Sequence, residues 1–226
     1  MSAFGDLDDQ PVECTPVKIR LKDNAEPYSF TTARRIPIPI MDKIKVELER
    51  MKRANIVEEM AEPADWCAPI VAVLKKSGAV WICTDLKRLN EAVKRDRYMI
   101  PTIEDTLHKL KGARIFSRLD ATLGFWQIPL DQNTAKLTTF ITACDKFFYK
   151  RLAFGISSAP EIFQRTKEDI LQSEKNVICF FGGILVYSVI PKEHEEHLNK
   201  VLKKLTDAGL KLNENKCEFR KASDIE

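Results

Sequence analysis

Three features that often reveal a function are missing from this sequence: paired cysteines, a long apolar run and an excess of one charge. The six cysteines lie far apart without a Cys-x-x-Cys pair, which predicts a reduced, intracellular protein with no zinc or disulfide framework. No stretch approaches the roughly 18 apolar residues of a membrane helix, so we expect no membrane partner. The net charge is only +3, and any nucleic-acid binding must therefore come from local basic patches.

Two basic clusters are candidates for such patches. Arg34-Arg35 and residues 94–97 (KRDR) could contact a phosphate backbone, and an ordinary charged surface explains them equally well. His194 and His197 are separated by two glutamates on a predicted helix. Because no third ligand is in view, we expect these histidines to form a solvated surface cluster rather than a metal site.

Helices and strands alternate irregularly after a polar, proline-containing arm at residues 1–39. An apolar stripe predicts a helix from Ile40 to about Asn55, and two β-rich runs predict a hairpin of residues 68–74 and 79–83. Further predicted elements are a helix capped by Thr102 and stopped by Gly112, a strand at 115–120, a strand pair at 137–142 and 146–152, helices that open at 157–160 and at Pro191, and a final strand at 210–219. This order predicts an α+β fold with a mostly antiparallel sheet packed on helices.

A second hairpin contains the most informative residues of the chain. Residues 177–181 and 184–187 are apolar, β-rich runs. Gly182 and Gly183 lie between them, where a tight turn favours glycine.

Six runs in a fixed order make this sequence resemble a known family. They are residues 65–71 (DWCAPIV), 83–90 (CTDLKRLN), 116–120 (FSRLD) with 124–128 (GFWQI), 154–160 (FGISSAP), 209–213 (GLKLN) and 216–219 (KCEF). On these runs the chain resembles the reverse transcriptase domain of gypsy-class LTR retrotransposon Pol polyproteins. The resemblance implies that residues 40–226 form the fingers and palm of a right-handed polymerase. It also implies an RNA/DNA template–primer and a deoxynucleoside triphosphate as partners, and Mg²⁺ as the cofactor.

The resemblance places the catalytic site at Asp120 and the glycine hairpin. Phosphoryl transfer by two metal ions, about 3.5–4 Å apart, requires carboxylate ligands, and this family supplies three aspartates. Asp120 matches the first, although its position also suits a plain strand-end aspartate. Gly182 and Gly183 stand where the family carries its paired aspartates, and glycine cannot replace either ligand. We therefore expect Mg²⁺ to bind weakly or not at all. Lys216 resembles a lysine that protonates the pyrophosphate leaving group, with an exposed strand lysine as the alternative.

The resemblance also implies a nucleotide-binding set of five residues. Lys75 resembles a lysine that reaches the nucleotide phosphates, with a solvated turn lysine as the alternative. Trp81 stands where the family places an arginine, and an indole offers one donor and no charge. Phe125 matches an aromatic beneath the incoming sugar, or is a core aromatic. Phe154 and Gly155 resemble the floor of the nucleotide pocket.

Two departures from the family therefore predict a pseudoenzyme: the glycine pair and Trp81. The end of the chain gives a third expected departure. The family continues after residues 216–219 into a primer grip, a thumb and an RNase H domain, and we expect this chain to lack them. We expect a retrotransposon-derived, reverse transcriptase-like domain of the nucleotidyltransferase class that is catalytically inactive. The alternatives are an active RNA-directed DNA polymerase fragment and a domesticated module that binds nucleic acid or protein. The oligomeric state stays open.

Overall fold

Two β-sheets with helices packed against them form the fold, so the α+β prediction is confirmed. The computed structural model describes residues 3–75, 78–95, 98, 108–180 and 183–222. The helices are α1 (Ile38–Arg53), α2 (Lys87–Ala92), α3 (Gln132–Leu137), α4 (Ala159–Leu171) and α5 (Pro191–Asp207), with short 3-10 helices at Gly124–Gln127 and Glu214–Lys216. The strands are β1 (Val57–Glu59), β2 (Ala68–Leu74), β3 (Val80–Thr84), β4 (Ile115–Leu119), β5 (Phe140–Ile141), β6 (Lys146–Tyr149), β7 (Val177–Phe180), β8 (Gly183–Ser188) and β9 (Glu218–Ala222). Within the described ranges, no helix is long and apolar enough to cross a membrane.

The first sheet has five strands in the order β1-β6-β5-β2-β3. Its predicted hairpin is confirmed, because β2 and β3 pair antiparallel from Ile70 opposite Thr84 to Leu74 opposite Val80. The turn is closed by Lys75, whose amide donates to the carbonyl of Ala79 at 2.8 Å. The single parallel pairing among the strands described is between β2 and β5, so the sheet is mostly antiparallel.

The second sheet has four strands in the order β7-β8-β4-β9, all paired antiparallel. Its glycine hairpin is confirmed: β7 pairs with β8 from Val177 opposite Val186 to Phe180 opposite Gly183. Strand β4 lies between β8 and β9, and Leu119 is fully buried at its end. This arrangement brings the end of β4 beside the start of β8.

Helix α1 begins two residues earlier than the apolar stripe predicts. Pro37 precedes its first residue, Ile38, and a proline occupies the first turn, where its missing N–H costs nothing. Ile44, Leu48 and Met51 form the buried face, as their spacing predicts. The helix that we predicted from Thr102 lies largely outside the described residues, although residues 108–110 are helical.

Three predicted strands are wrong in their bounds, and the one predicted at 146–152 ends at Tyr149. Residues 132–137 form helix α3, because the Asp131 side chain caps it by accepting from the amide of Thr134 at 3.0 Å, and the strand that follows is only Phe140–Ile141. The final strand is Glu218–Ala222 rather than residues 210–219. The chain turns at Asn213, whose amide donates to the carbonyl of Asp120 at 2.8 Å and whose carbonyl accepts from Lys216.

The N-terminal arm lies extended along the rest of the chain and packs against it. Single bridges join Val17 to Leu130 and Leu21 to Val93. Val12 is buried, and its amide donates to the carbonyl of Gln127 at 2.8 Å. The arm therefore contributes to the core.

Arg151 joins this arm to the interior through backbone carbonyls. Its guanidinium is buried and donates to the carbonyl oxygens of Asn55 (3.1 Å), Trp126 (3.3 Å), Asp9 (2.7 Å) and Ala54 (3.5 Å). Burial lowers the pKa of the guanidinium, while Asp8 and Asp9 partly offset that effect. One buried cation thus satisfies carbonyls from three separate segments.

We predict that Arg151→Leu lowers the free energy of unfolding by about 3 kcal/mol, because it leaves these buried carbonyls without donors. Urea unfolding followed by tryptophan fluorescence measures the change. The matched control is Arg165→Leu, since Arg165 is 70% exposed and its ion pair with Asp169 is long, at 3.9 Å. A loss no greater than that of the control would contradict the role given to Arg151.

Candidate functional site

Asp120 follows β4 directly and is held in place by the last part of the chain. Its amide donates to the Sγ of Cys217 at 3.4 Å, and its carbonyl accepts from the amide of Asn213 at 2.8 Å. The carboxylate is 15% exposed, and its Oδ1 lies 3.8 Å from the Nζ of Lys216. Asp120 is therefore an ordered carboxylate at the rim of the sheet, and its neighbour is a cation of the same chain.

Lys216 lies at the end of the 3-10 helix Glu214–Lys216, so its predicted placement on a strand is wrong. Its side chain is 64% exposed. The ion pair with Asp120 is longer than a hydrogen bond, and the ammonium keeps donors free for another group.

Gly183 lies where β8 comes closest to β4. A Cβ added at Gly183 would lie 2.4 Å from the carbonyl oxygen of Leu119, which is closer than atoms of real side chains approach. A side chain at this position requires the backbone to move. Gly182 lies outside the described residues, so the position of only one of the two glycines is defined.

Lys167 contacts the hairpin from the opposite side and was not among the predicted site residues. It is on α4, its side chain is 1% exposed, and its Nζ donates to the carbonyls of Phe180 at 2.6 Å and Gly183 at 3.2 Å. Burial lowers its pKa to about 8, against the opposing effects of neighbouring acidic groups that include Asp120. A signal existed in the sequence: Lys167 falls in the apolar stripe of α4, four residues after Phe163.

A cleft of about 440 Å³ opens beside Asp120 and collects most of the predicted nucleotide-binding residues. Its lining comprises Lys75, Trp81, Ala121, Leu123, Gly124, Phe125, Phe154, Phe163 and Lys216. This cleft thus brings together four of the five predicted nucleotide-binding residues, from three segments of the chain. Lys216 joins them from a fourth segment. The predicted set is spatially coherent, apart from Gly155.

Trp81 belongs to a stack of two indoles with a cation at each end. Its ring stacks on Trp126 with centroids 5.2 Å apart and an interplanar angle of 12°. The Nζ of Lys75 lies 4.5 Å from the Trp81 ring centroid, and the guanidinium of Arg50 lies 6.0 Å from that of Trp126. The indole is a structural part of the cleft wall, and Lys75 covers the side of it that Trp126 leaves free.

Three phenylalanines form the rest of the wall. Phe125 contacts Phe154 and Phe163 with ring centroids 5.0 and 5.8 Å apart. A Cβ at Gly124 would lie 2.5 Å from the ring of Phe163, so glycine allows α4 to approach closely. Phe125 is half-buried and contributes both to the core and to the cleft.

Gly155 lies outside the cleft and shapes the turn behind it. Its φ of +98° suits glycine, and its carbonyl accepts from the side chain of Asn90 at 2.7 Å. Asn90 in turn accepts from the amide of Ser157 at 2.8 Å. Gly155 is therefore next to Phe154 in the chain but is not among the residues that line the cleft.

The groups around Asp120 do not fit a divalent metal ion. Hard cations need several oxygen ligands, whereas the Gly183 position offers no carboxylate and Lys216 already pairs with the Asp120 carboxylate. Across the part of the chain that is described, no group of three or more His, Cys, Asp or Glu side chains is arranged to hold a metal. The charge in this site comes mainly from ammonium groups.

The two histidines are not a solvated cluster, so that prediction is wrong. His194 is buried, and its Nε2 lies 2.7 Å from the Oγ of Ser117. The Nδ1 of His197 lies 3.1 Å from the Oγ of Ser188. Both imidazoles fix α5 to β4 and β8, and burial lowers the pKa of His194. Because His194 and His197 are three residues apart, they lie on the same face of α5, and this face packs against the sheet.

The two basic clusters are partly neutralised by carboxylates. Arg34 pairs with Asp85 at 2.9 Å, and Arg95 pairs with Glu161. Asp96 and Arg97 lie outside the described residues. These ion pairs favour the interpretation of an ordinary charged surface over that of a dedicated phosphate-binding patch.

A fold with two such sheets and this cleft is that of a polymerase's fingers and palm. Chains of prototype foamy virus protease–reverse transcriptase superpose with a TM-score of 0.84 at 20% identity over 96% of this chain and 29% of that chain. Another structure of a foamy viral protease–reverse transcriptase, in complex with an RNA/DNA hybrid, gives a TM-score of 0.81 at 18% identity, covering 96% of this chain and 29% of that chain. These matches confirm the predicted fold class.

The chain belongs to the reverse transcriptase (RNA-dependent DNA polymerase) family, whose model matches residues 73–225. The Pol polyprotein from transposon 297 of Drosophila melanogaster is 31% identical over 196 residues, 84% of this chain and 18% of the relative. The transposon Tf2-3 polyprotein of Schizosaccharomyces pombe is 33% identical over 193 residues, 84% of this chain and 14% of the relative. The chain thus spans less than a fifth of these relatives, and its resemblance to retrotransposon reverse transcriptases is confirmed.

We predict that Gly183→Ala lowers the free energy of unfolding by about 1–3 kcal/mol, since the added methyl group meets a backbone oxygen that cannot rotate away. Urea unfolding measures the loss. The control is Val189→Ala, because Val189 is exposed just beyond β8 and such changes usually stay within about 0.5 kcal/mol. Equal stability of Gly183→Ala and the natural chain would contradict the close approach of β4 and β8.

A second prediction concerns the pH dependence that Lys167 confers. Its folded-state pKa of about 8 lies below the ordinary value of 10.5. Burial of the charged ammonium therefore lowers the free energy of unfolding by its full amount below pH 8, and this loss falls to zero as the pH rises to 10.5. The stability of the natural chain relative to Lys167→Met should therefore rise over this range, by up to about 3 kcal/mol.

Urea unfolding at several pH values between 7 and 10.5 measures this difference. The control is Lys203→Met, which removes an exposed lysine of α5 and should give a difference independent of pH. Parallel stability profiles for the natural chain and Lys167→Met would show that the Lys167 ammonium is not destabilised by burial.

Proposed function

We propose that this reverse transcriptase-like domain acts as a pseudoenzyme: it binds template–primer nucleic acid weakly and does not extend the primer. In this proposal residues 40–226 are the fingers and palm, and residues 1–39 are an arm packed on them. The domain works inside the cell. It holds Mg²⁺ weakly or not at all.

The observation that carries this proposal is the contact at Gly183. Two-metal phosphoryl transfer needs carboxylates on both sides of the metal pair, and here the Asp120 side offers one, already paired with Lys216 at 3.8 Å. The hairpin side has no space for a side chain at Gly183, where a Cβ would lie 2.4 Å from the Leu119 carbonyl. Trp81 supports the same conclusion, because its indole brings no charge to a triphosphate.

Nucleic-acid binding is supported by relatives of the same fold. Foamy viral protease–reverse transcriptases have been solved in complex with an RNA/DNA hybrid and with dsDNA. This chain has the same fold, with TM-scores of 0.81 and 0.78. Because the net charge is only +3, we expect the affinity to be modest and to fall with salt.

Primer extension on an RNA template, with Mg²⁺ or Mn²⁺, tests the loss of catalysis. We expect no extension above the level of Asp120→Asn, which removes the remaining carboxylate. The double variant Gly182→Asp/Gly183→Asp should not restore robust synthesis, because the second carboxylate has no space beside β4. Template-dependent extension by the natural chain that Asp120→Asn abolishes would establish an active polymerase instead.

Binding is measured separately, with a labelled RNA/DNA hybrid at several salt concentrations. The logarithm of the affinity should fall linearly with the logarithm of the salt concentration. Absence of binding at low salt would exclude the nucleic-acid role and leave a protein-binding role for the domain.

A further inference from the structure

A groove of about 1140 Å³ lies between the N-terminal arm and helix α4, and the C-terminal end of α5 borders it. Two backbone hydrogen bonds fix the arm at the ends of this groove. The amide of Glu13 donates to the carbonyl of Ala208 at 2.9 Å, and the amide of Lys94 donates to the carbonyl of Arg20 at 2.8 Å. The arm therefore runs along the groove, and an extended chain over residues 15–20 spans about 17 Å.

Helix α4 separates the groove from the glycine hairpin. Lys167 donates to the hairpin carbonyls, whereas Arg165 and Asp169 line the groove. The lining of the groove and that of the cleft beside Asp120 have no residue in common. A ligand in the groove thus occupies a place of its own, apart from the cleft.

The arm has an open backbone edge on the side of the groove. Val17 uses its amide and its carbonyl on the opposite side, where they bond to segment 129–131 at 2.9 and 3.0 Å. In an extended chain the backbone groups of successive residues point to opposite edges, so those of Lys18 point the other way. That edge faces the groove, because the carbonyl of Arg20 on it is bonded to Lys94, which lines the groove. Among the described residues, none is hydrogen-bonded to the amide or the carbonyl of Lys18.

Charges of opposite sign lie at the two ends of the groove. Lys18, Arg20 and Lys94 are at one end, and all three are exposed. Glu13 and Asp207 are exposed at the other end, where Asp207 directly precedes the carbonyl partner of Glu13. Within the ranges that the structure describes, none of these five side chains has an ion pair. A ligand with the reverse order of charges would satisfy both ends.

The groove favours an extended peptide over other ligands. Four half-buried aliphatic side chains contribute to its lining, namely Val17, Ile19, Ile162 and Ile170. A nucleic-acid strand along the groove would meet carboxylates at one end, and these repel phosphates. The volume also exceeds the range of about 300–1,000 Å³ that is typical of small-molecule sites. Aliphatic contacts between two charged ends match a peptide instead.

We propose that this groove binds an extended peptide segment of a partner protein, which adds to the arm as a strand beside Lys18. The segment has acidic residues at the end near Arg20 and Lys94, basic residues at the end near Glu13 and Asp207, and aliphatic residues between them. Main-chain hydrogen bonds give such strand addition its affinity, and side-chain contacts give it specificity. This proposal is independent of the proposed loss of catalysis, because the groove and the cleft are separate.

Fluorescence anisotropy with three labelled eight-residue peptides of one composition and with blocked termini tests the proposal. Two peptides, DEVTVTKR and KRVTVTDE, have separated charges in opposite chain directions, and the third, DKVTVTRE, has mixed charges at both ends. We expect one of the two separated peptides to bind the full chain at least about tenfold more tightly than the mixed peptide, since only that one places both charged ends correctly. Its identity gives the direction of the bound strand.

Charge reversal decides whether the peptide binds in this groove. Lys18→Glu/Arg20→Glu should weaken binding of that peptide at least about tenfold, because like charges then meet at one end. The peptide KRVTVTKR should bind this variant more tightly than it binds the natural chain, a gain that a merely structural defect would not produce. The matched control is Lys45→Glu/Lys109→Glu, which changes the net charge equally at two exposed lysines outside the lining. It should change the affinities by less than about twofold.

Methylation of amides in the peptide tests the strand addition. Alternate residues of an added strand direct their backbone groups to the arm. N-methylation of the third and fifth peptide residues, and separately of the fourth and sixth, should therefore have unequal effects. We expect one pattern to weaken binding at least about fivefold and the other less than about twofold, since only one removes hydrogen bonds to the arm.

Each contrary result overturns the proposal. Equal affinities of the three peptides would remove the role of the charged ends, and equal losses in Lys18→Glu/Arg20→Glu and its control would place the binding elsewhere. Equal effects of the two methylation patterns would exclude strand addition. Displacement of the peptide by an equal concentration of oligo(dT) would assign the groove to nucleic acid. Primer extension is unaffected by all of these outcomes and decides the proposed function separately.

Discussion

The pairing of β4 with β8 is the constraint on which the candidate site depends. Leu119 lies opposite Ile184, so the end of β4 and the first residue of β8 are held together by the sheet. At this point the Leu119 carbonyl approaches Gly183 so closely that a Cβ would lie 2.4 Å from it. The same pairing places Asp120 at the rim of the sheet, beside the hairpin. At Gly183 it leaves space for backbone atoms but not for a side chain. The geometry of the sheet thus determines which side chains can take part in chemistry.

The electrostatics of the site follow from that constraint. With no carboxylate at Gly183, the negative charge of Asp120 is balanced by Lys216 in front and influenced by Lys167 behind. Lys167 also donates to carbonyls on both arms of the hairpin, so it supports the turn as a bound cation would. The charges nearest to the Asp120 carboxylate are therefore ammonium groups.

Local patterns predicted the parts of this structure that depend on neighbouring residues in the chain. The two hairpins, α1 and α5 are set by apolar periodicity and turn residues. Lys75 and Trp81, which the family motifs assign to one site, line the same cleft. The failures arose from long-range contacts. His194 is buried because Ser117 meets it across 77 positions of sequence, and the last strand is displaced because Asn213 turns toward Asp120. Spacing alone carries no information about such partners.

The packing around Gly183 determines whether a side chain can be introduced at this position. Removal of a side chain from a packed site ordinarily leaves a cavity, into which the original residue could return. At Gly183 there is no such cavity, because the Leu119 carbonyl fills the place of a Cβ and Lys167 holds the Gly183 carbonyl from the other side. The surrounding backbone is therefore fitted to glycine. A side chain at position 183 therefore requires the backbone of β4 or β8 to shift.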